Sequence, residues 1–253
     1  MKKFIEYTAY SNLPISKEVL EIDFSTRKNE IEHISITFDN KENKGIVIIK
    51  IDFTDDIEFE LAKRIAEKKI DQIIKGIIFT SGIQVHGIEQ TLHNFAEYKS
   101  GFSDHSMVLT VPFKFNLTQL DEIKSLTKSD KTNHVYYDLY RQAINHDDDL
   151  GKFMFLYSLL MLVLKTDYQS EVDKFIVKAK KDEKKLKQRS TKLIEQKDGT
   201  RKRSTRLETR FTWLRNQVGH TQEDSEITKA INEMKDCYKV LKEIVKQAIK
   251  ENI

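Results

Sequence analysis

The twelve residues Phe153–Leu164, FMFLYSLLMLVL, form the longest apolar run in the chain and constrain its fold most. The run is well short of the ~20 residues that span a bilayer. It therefore predicts a helix buried in a protein core, with Phe153, Phe155, Tyr157 and Leu160 as core residues. A length of 253 residues allows one large domain or two of ordinary size around such a core. The start, Met1-Lys2-Lys3-Phe4-Ile5-Glu6, has a basic pair but no sustained apolar region, so no targeting segment is expected. The single Cys237 can form neither an internal disulfide nor a cysteine-based metal site, which fits a reducing cytosol. The expectation is a cytoplasmic protein with no membrane partner.

Two halves read differently. In residues 1–128 the runs Ile34–Phe38 and Ile46–Phe53 are rich in β-branched residues, with Lys44-Gly45 at the turn between them. Ile57–Ile74 has helical spacing at Phe59, Ala62, Ile65, Ala66, Ile70 and Ile73. Two more strand-like runs follow, Ile77–Val85 and Met107–Phe115. From about Lys131 neither a strand-like run nor a proline recurs, and helical patterns succeed one another. Val135–Ile144 is the first, and Asp147-Asp148-Asp149 then sits where it can cap the apolar helix at 150–165. Ser170–Asp173 and Thr205–Glu208 read as capping boxes, the second opening a helix with Leu207, Phe211, Leu214 and Val218 as its stripe. A last helix carries Ile227, Ile231, Met234, Tyr238, Leu241, Val245 and Ala248. The expected architecture is an α+β domain over 1–128 and an all-α bundle of four to five helices over 129–253.

Charge separates the halves as well. Residues 1–128 hold 17 basic and 20 acidic residues, whereas 178–215 alone hold 15 basic and 5 acidic, net +10. Such a stretch can collect phosphates, or it can be a solvated loop between helices. It ends in Arg215-Asn216-Gln217-Val218-Gly219-His220. Residues five apart are ~140° around an ideal helix, so Arg215 and His220 converge only if the helix stops between them. Gly219 is the residue expected at such a stop.

A guanidinium and an imidazole in one small site suit RNA phosphodiester cleavage. The 2′-OH attacks the adjacent phosphate, giving a 2′,3′-cyclic phosphate and a free 5′-OH. Histidine can move the protons near neutrality, and arginine offers paired donors to phosphate without losing its charge. No metal or other cofactor is required. A second pair of the same spacing, Arg141 and His146, lacks the following Asn and the preceding Gly and lies beside three aspartates, so it reads as structural or solvent-exposed.

With Glu208-Thr209, Leu214, Arg215-Asn216, Gly219 and His220, the segment resembles the signature of the HEPN superfamily, whose Arg-Asn-x3-His motif marks metal-independent ribonucleases. The resemblance covers roughly 135–253. It implies a HEPN-type helical bundle and a homodimer that brings two motifs into one cleft. It also implies a place in toxin–antitoxin or antiphage systems, with an antitoxin or regulatory partner. Arg215 and His220 take the catalytic positions and Asn216 the polar position after the Arg. Gln222 stands where one branch of the family has a modified Tyr.

Other residues read both ways. Glu208 can orient Arg215 or close the cap at Thr205. Lys202, Arg203, Arg206 and Arg210 are candidate RNA contacts, with ion pairing the competing use of Arg206 and Arg210. Trp213 suits core or dimer packing, or base stacking. Asp52, Asp55, Asp56, Glu58 and Glu60, like His86, His93 and His105, match no ligand spacing and read as surface or structural. The functional expectation is an endoribonuclease whose amino-terminal domain senses a trigger, binds a partner or selects substrate. The alternatives are a non-catalytic RNA- or nucleotide-binding adaptor and an antitoxin-like structural subunit.

Overall fold

The computed structural model describes residues 3–24, 30–41, 44–95, 112–184, 187–195, 201–219 and 227–253. They fall into two compact units, Met1–Asn145 and His146–Ile253.

The first unit is built on five antiparallel strands, β1 (Lys3–Ser11), β2 (Glu18–Asp23), β3 (Ile31–Lys41), β4 (Lys44–Phe53) and β5 (Val85–His93), in the order β2-β3-β4-β1-β5. Alternation decides which side is inward: Ile5, Tyr7 and Ala9 on β1, and Ile34, Ile36 and Phe38 on β3, are all buried. Gly45 lies inside β4 rather than in a turn. Its N–H donates to the Leu13 carbonyl at 3.0 Å, and a Cβ there would collide with that oxygen. At one edge β5 pairs with β1 through two register shifts, with Gly87 at φ +60 beside them.

Helix α1 (Phe59–Ser81) lies against β1 and β4, and α2 (Leu117–Lys128) and α3 (Val135–Asn145) pack on it. Phe79 carries the rings of Tyr137 and Tyr140. Gly82 ends α1 in the left-handed conformation, its N–H returning to the Ile78 carbonyl. Of the strand expected at Ile77–Val85, residues 77–81 are thus the end of α1 and only Val85 belongs to a strand, β5. Residues 72–81 are buried on every side of that helix, which erases the 3.6-residue period and leaves an apolar run. The run expected at Met107–Phe115 falls largely outside the described residues. Lys75, buried in α1, binds Asp71 at 2.6 Å and Asp138 at 2.8 Å, and Arg141 binds Asp71 at 2.7 Å. Arg141 therefore serves α1–α3 packing.

The second unit holds α4 (Asp149–Val163), α5 (Gln169–Ala179), α6 (Arg210–Gly219), α7 (Ile227–Asn252) and a hairpin of β6 (Lys187–Glu195) and β7 (Arg201–Glu208). Asp148 caps α4 by accepting the Gly151 N–H at 2.7 Å, and this bond holds its carboxyl below the usual range. Phe153, Leu156, Tyr157, Leu160 and Val163 are buried, against α7 residues such as Met234, Leu241, Val245 and Ala248. Each such side chain contributes about 1.5–3 kcal/mol. Phe155 is instead 46% exposed, on the outer side of α4.

The expected architecture needs correction in three places. Seven α-helices, not four to five, follow or flank the sheet among the described residues, three in the first unit and four in the second. The second unit is not all-α, because 187–208 is a two-stranded ribbon. Thr205–Glu208 is therefore strand and opens no helix, and Leu207 is 56% exposed instead of lying in a helical stripe. No helix among the described residues is long and apolar enough to cross a membrane.

Candidate functional site

Strand β7 passes into α6 through one residue, Thr209, and a buried carboxylate fixes the junction. Asp173 of α5 accepts bonds from the Thr209 hydroxyl at 2.6 Å, the Thr212 hydroxyl at 2.6 Å and the Thr209 N–H at 3.3 Å. With its own proton committed to Asp173, Thr212 accepts the Tyr157 hydroxyl at 2.8 Å. All four residues are buried, and burial raises the Tyr157 phenol pKa. Asp173 does not complete the capping box expected at Ser170. Tyr168 is the N-cap residue of α5, and Asp173 turns inward. The first turn of α6 is thereby tied to α4 and α5 at once.

One turn further along α6 lies Asn216, 3% exposed and at the centre of four hydrogen bonds. Its Oδ1 accepts from Gln169 Nε2 at 2.8 Å and from Arg215 Nη1 at 3.1 Å. Its Nδ2 donates to Gln169 Oε1 and to Glu208 Oε2, each at 3.1 Å. Asn216 and Gln169 thus form a reciprocal amide pair, which fixes the orientation of both. Glu208 is fully buried at the root of the ribbon. This arrangement holds the half-buried Arg215 by one of its N–H groups. Arginine otherwise carries about 2 kcal/mol of rotamer entropy, part of which is removed before any anion arrives. A positioned guanidinium can receive a phosphate or a developing phosphorane through paired donors.

No protein-family model, curated protein or solved structure matches the chain. The chemistry of the site therefore rests on its own residues.

Three of the residues singled out in the sequence, Glu208, Arg215 and Asn216, are brought together. His220 lies outside the described residues; α6 is described to Gly219. Glu208 acts through Asn216 rather than through a helix cap, since it ends β7. Arg210 makes an ion pair with Glu183 at 3.2 Å and lies over the Phe211 ring. Arg206 is half-buried on β7, and Lys202 and Arg203 belong to the same strand. Trp213 is half-buried on α6. His146 stands beside Asp148 at 3.1 Å, next to Gly151, where any side chain would strike its ring. Burial raises the Cys237 thiol pKa, which disfavours the reactive thiolate.

In the first unit Asp52 is buried beside Lys50 at 3.2 Å, Glu58 precedes α1, and His93 packs on the Phe59 ring. Among the described residues no group of three or more His, Cys, Asp or Glu could hold a metal ion. Gln169 and Asp173 escaped the sequence reading as site residues. Both stand near the start of an ordinary amphipathic helix, and nothing in their spacing points to partners about forty residues away.

Proposed function

We propose that the chain is a metal-independent endoribonuclease. The RNA 2′-OH attacks the adjacent phosphate, leaving a 2′,3′-cyclic phosphate and a 5′-OH. Arg215 neutralises the phosphorane, His220 moves the protons, and Asn216 holds Arg215 in place. The observation that carries this reading is the Glu208–Asn216–Gln169 cluster, buried at Glu208 and Asn216, which holds the Arg215 guanidinium through Asn216. Two buried polar side chains, Glu208 and Asn216, need a purpose, because each costs free energy unless its partners are arranged in advance. Fixing a cation beside the ribbon's root supplies one. The Arg-Asn-x3-His motif, with its resemblance to HEPN ribonucleases, supports the same reading. So does the run of net +10 over 178–215. The proposal extends to a homodimer with two motifs sharing one cleft, acting in the cytoplasm as a toxin or antiphage effector under a regulatory partner.

The deciding experiment incubates RNA with the protein in EDTA and identifies the ends produced. Cyclic-phosphate ends are expected. Removing an acid–base group costs ~10²–10⁴-fold in rate and removing a donor to the developing charge ~10²–10³-fold, so His220→Ala and Arg215→Ala should each abolish detectable cleavage. Cleavage that persists in both variants, or that needs added metal, refutes the mechanism.

A further inference from the structure

The β6–β7 ribbon is an unusual object in the second unit. At ~3.3 Å per residue its nine-residue strand β6 is roughly 30 Å long. Lys187–Glu208 contains eight basic and three acidic residues. The register sets one like-charged pair, Arg189 opposite Arg206, between two complementary ones, Lys187 opposite Glu208 and Glu195 opposite Arg201. Like charges directly opposite destabilise a strand pair, and an isolated two-stranded hairpin is marginal in water. The excess of eight basic over three acidic residues is what a polyanion laid along the ribbon would neutralise.

Its composition narrows the polyanion. Sites for single-stranded nucleic acid combine basic residues with aromatic platforms on which bases stack. Lys187–Glu208 holds no Phe, Tyr, Trp or His. It offers Lys, Arg, Ser, Thr and Gln, the side chains that bond phosphate and sugar. Such a surface reads backbone shape and 2′-hydroxyls across the shallow minor groove of an A-form helix. The ribbon also has a defined root, since Glu208 ends it and bonds Asn216, which holds Arg215.

We propose that the ribbon is a binding arm for double-helical RNA. The substrate class is then structured RNA, gripped along a stem by Lys187, Arg189, Lys202, Arg203 and Arg206, with an adjoining unpaired nucleotide delivered to Arg215. The choice of RNA over DNA rests on the ribonuclease reading, because a two-stranded ribbon also fits the major groove of B-DNA.

The test measures binding of the full chain, in a His220→Ala background, to three probes of one sequence: an RNA duplex, its single strand and the DNA duplex. Each is titrated from 50 to 200 mM salt. The RNA duplex should bind at least tenfold tighter than either alternative. Arg189→Ala/Arg206→Ala should lower the slope of log affinity against log salt by about 2, close to one unit per lost phosphate contact. Lys202→Ala/Arg203→Ala, further from the root, gives a second reading if the first variant fails to fold. Single-stranded RNA bound as tightly as duplex, or an unchanged salt slope in a folded variant, overturns the proposal. Tighter binding of the DNA duplex overturns it too, by making the ribbon a DNA arm. Cleavage of a stem-loop RNA by the wild type is scored separately. Its absence alongside retained duplex binding counts against the ribonuclease reading alone.

Discussion

Asn216→Asp is the most informative single change. The two side chains have the same shape, and Oδ1 can still accept from Arg215 and Gln169. The other position changes from donor to acceptor, facing Glu208 Oε2 across 3.1 Å. Two carboxylates at that distance repel by about 5 kcal/mol at an effective dielectric of ~20. The folded variant avoids this by binding one proton. An ordinary carboxyl titrates near pH ~4, and each pH unit above that costs about 1.36 kcal/mol. The penalty is therefore about 4 kcal/mol at pH 7 but about 1.4 kcal/mol at pH 5. The sign follows from linkage. The folded variant holds a proton that the unfolded chain releases, so its stability falls as pH rises from ~4 toward the raised folded pKa. Urea unfolding of variant and wild type at pH 5, 6 and 7 measures this directly. The stability gap should widen by about 2.7 kcal/mol between pH 5 and 7. Asn216→Ala loses the same hydrogen bonds without setting a second carboxylate against Glu208, so its gap should widen less. A gap for Asn216→Asp that does not change with pH would mean that Glu208 and Asn216 are not in contact.

Other expectations follow from the same packing. Asp173→Ala strips three bonds from the junction of β7 and α6 and should cost about 3 kcal/mol in denaturant unfolding; a loss under 1 kcal/mol would show that water or neighbours replace the carboxylate. Leu160→Ala should cost about 2–5 kcal/mol, whereas Phe155→Ala, at a position 46% exposed, should cost far less; equal losses would place Phe155 in the core after all. His33 on β3 is held between Asp23 at 2.8 Å and Glu21 at 2.6 Å. Partial burial opposes its charge, but the two carboxylates win and its pKa is raised. The stabilisation is complete below the unfolded pKa of about 6.5 and is lost as pH rises through the folded value. An NMR titration finding His33 at or below its ordinary pKa would refute that pairing.

Much of the molecule can be read from the residues, and the failures have physical causes. β3 and β4 are legible because a two-residue period of β-branched side chains has few other uses. α4 is legible because its apolar run is too short for a membrane and too continuous for a surface. The same continuity misleads about Phe155, since a run apolar on all sides does not say which residue faces outward. The end of α1 fails for the related reason that complete burial removes the helical period. The ribbon has no apolar alternation to announce it, because its cross-strand neighbours are largely charged and hydroxyl residues. At the site, Arg215 and Asn216 stand out by type and order. Their supports do not, because hydrogen bonds from α5 to α6 depend on tertiary packing rather than spacing.

The irregular pairing of β5 bears on how this protein behaves when crowded. A long, flat, regular edge is a template on which another chain can add a strand, and repetition of that step builds fibres. β5 carries two register shifts and a left-handed glycine, so its outer groups do not present an even ladder. The opposite edge, β2, is only six residues long and exposes Glu18-adjacent Val19 alongside the acids Glu21 and Asp23. Among the described residues both edges of the sheet are thus poor templates for an added strand.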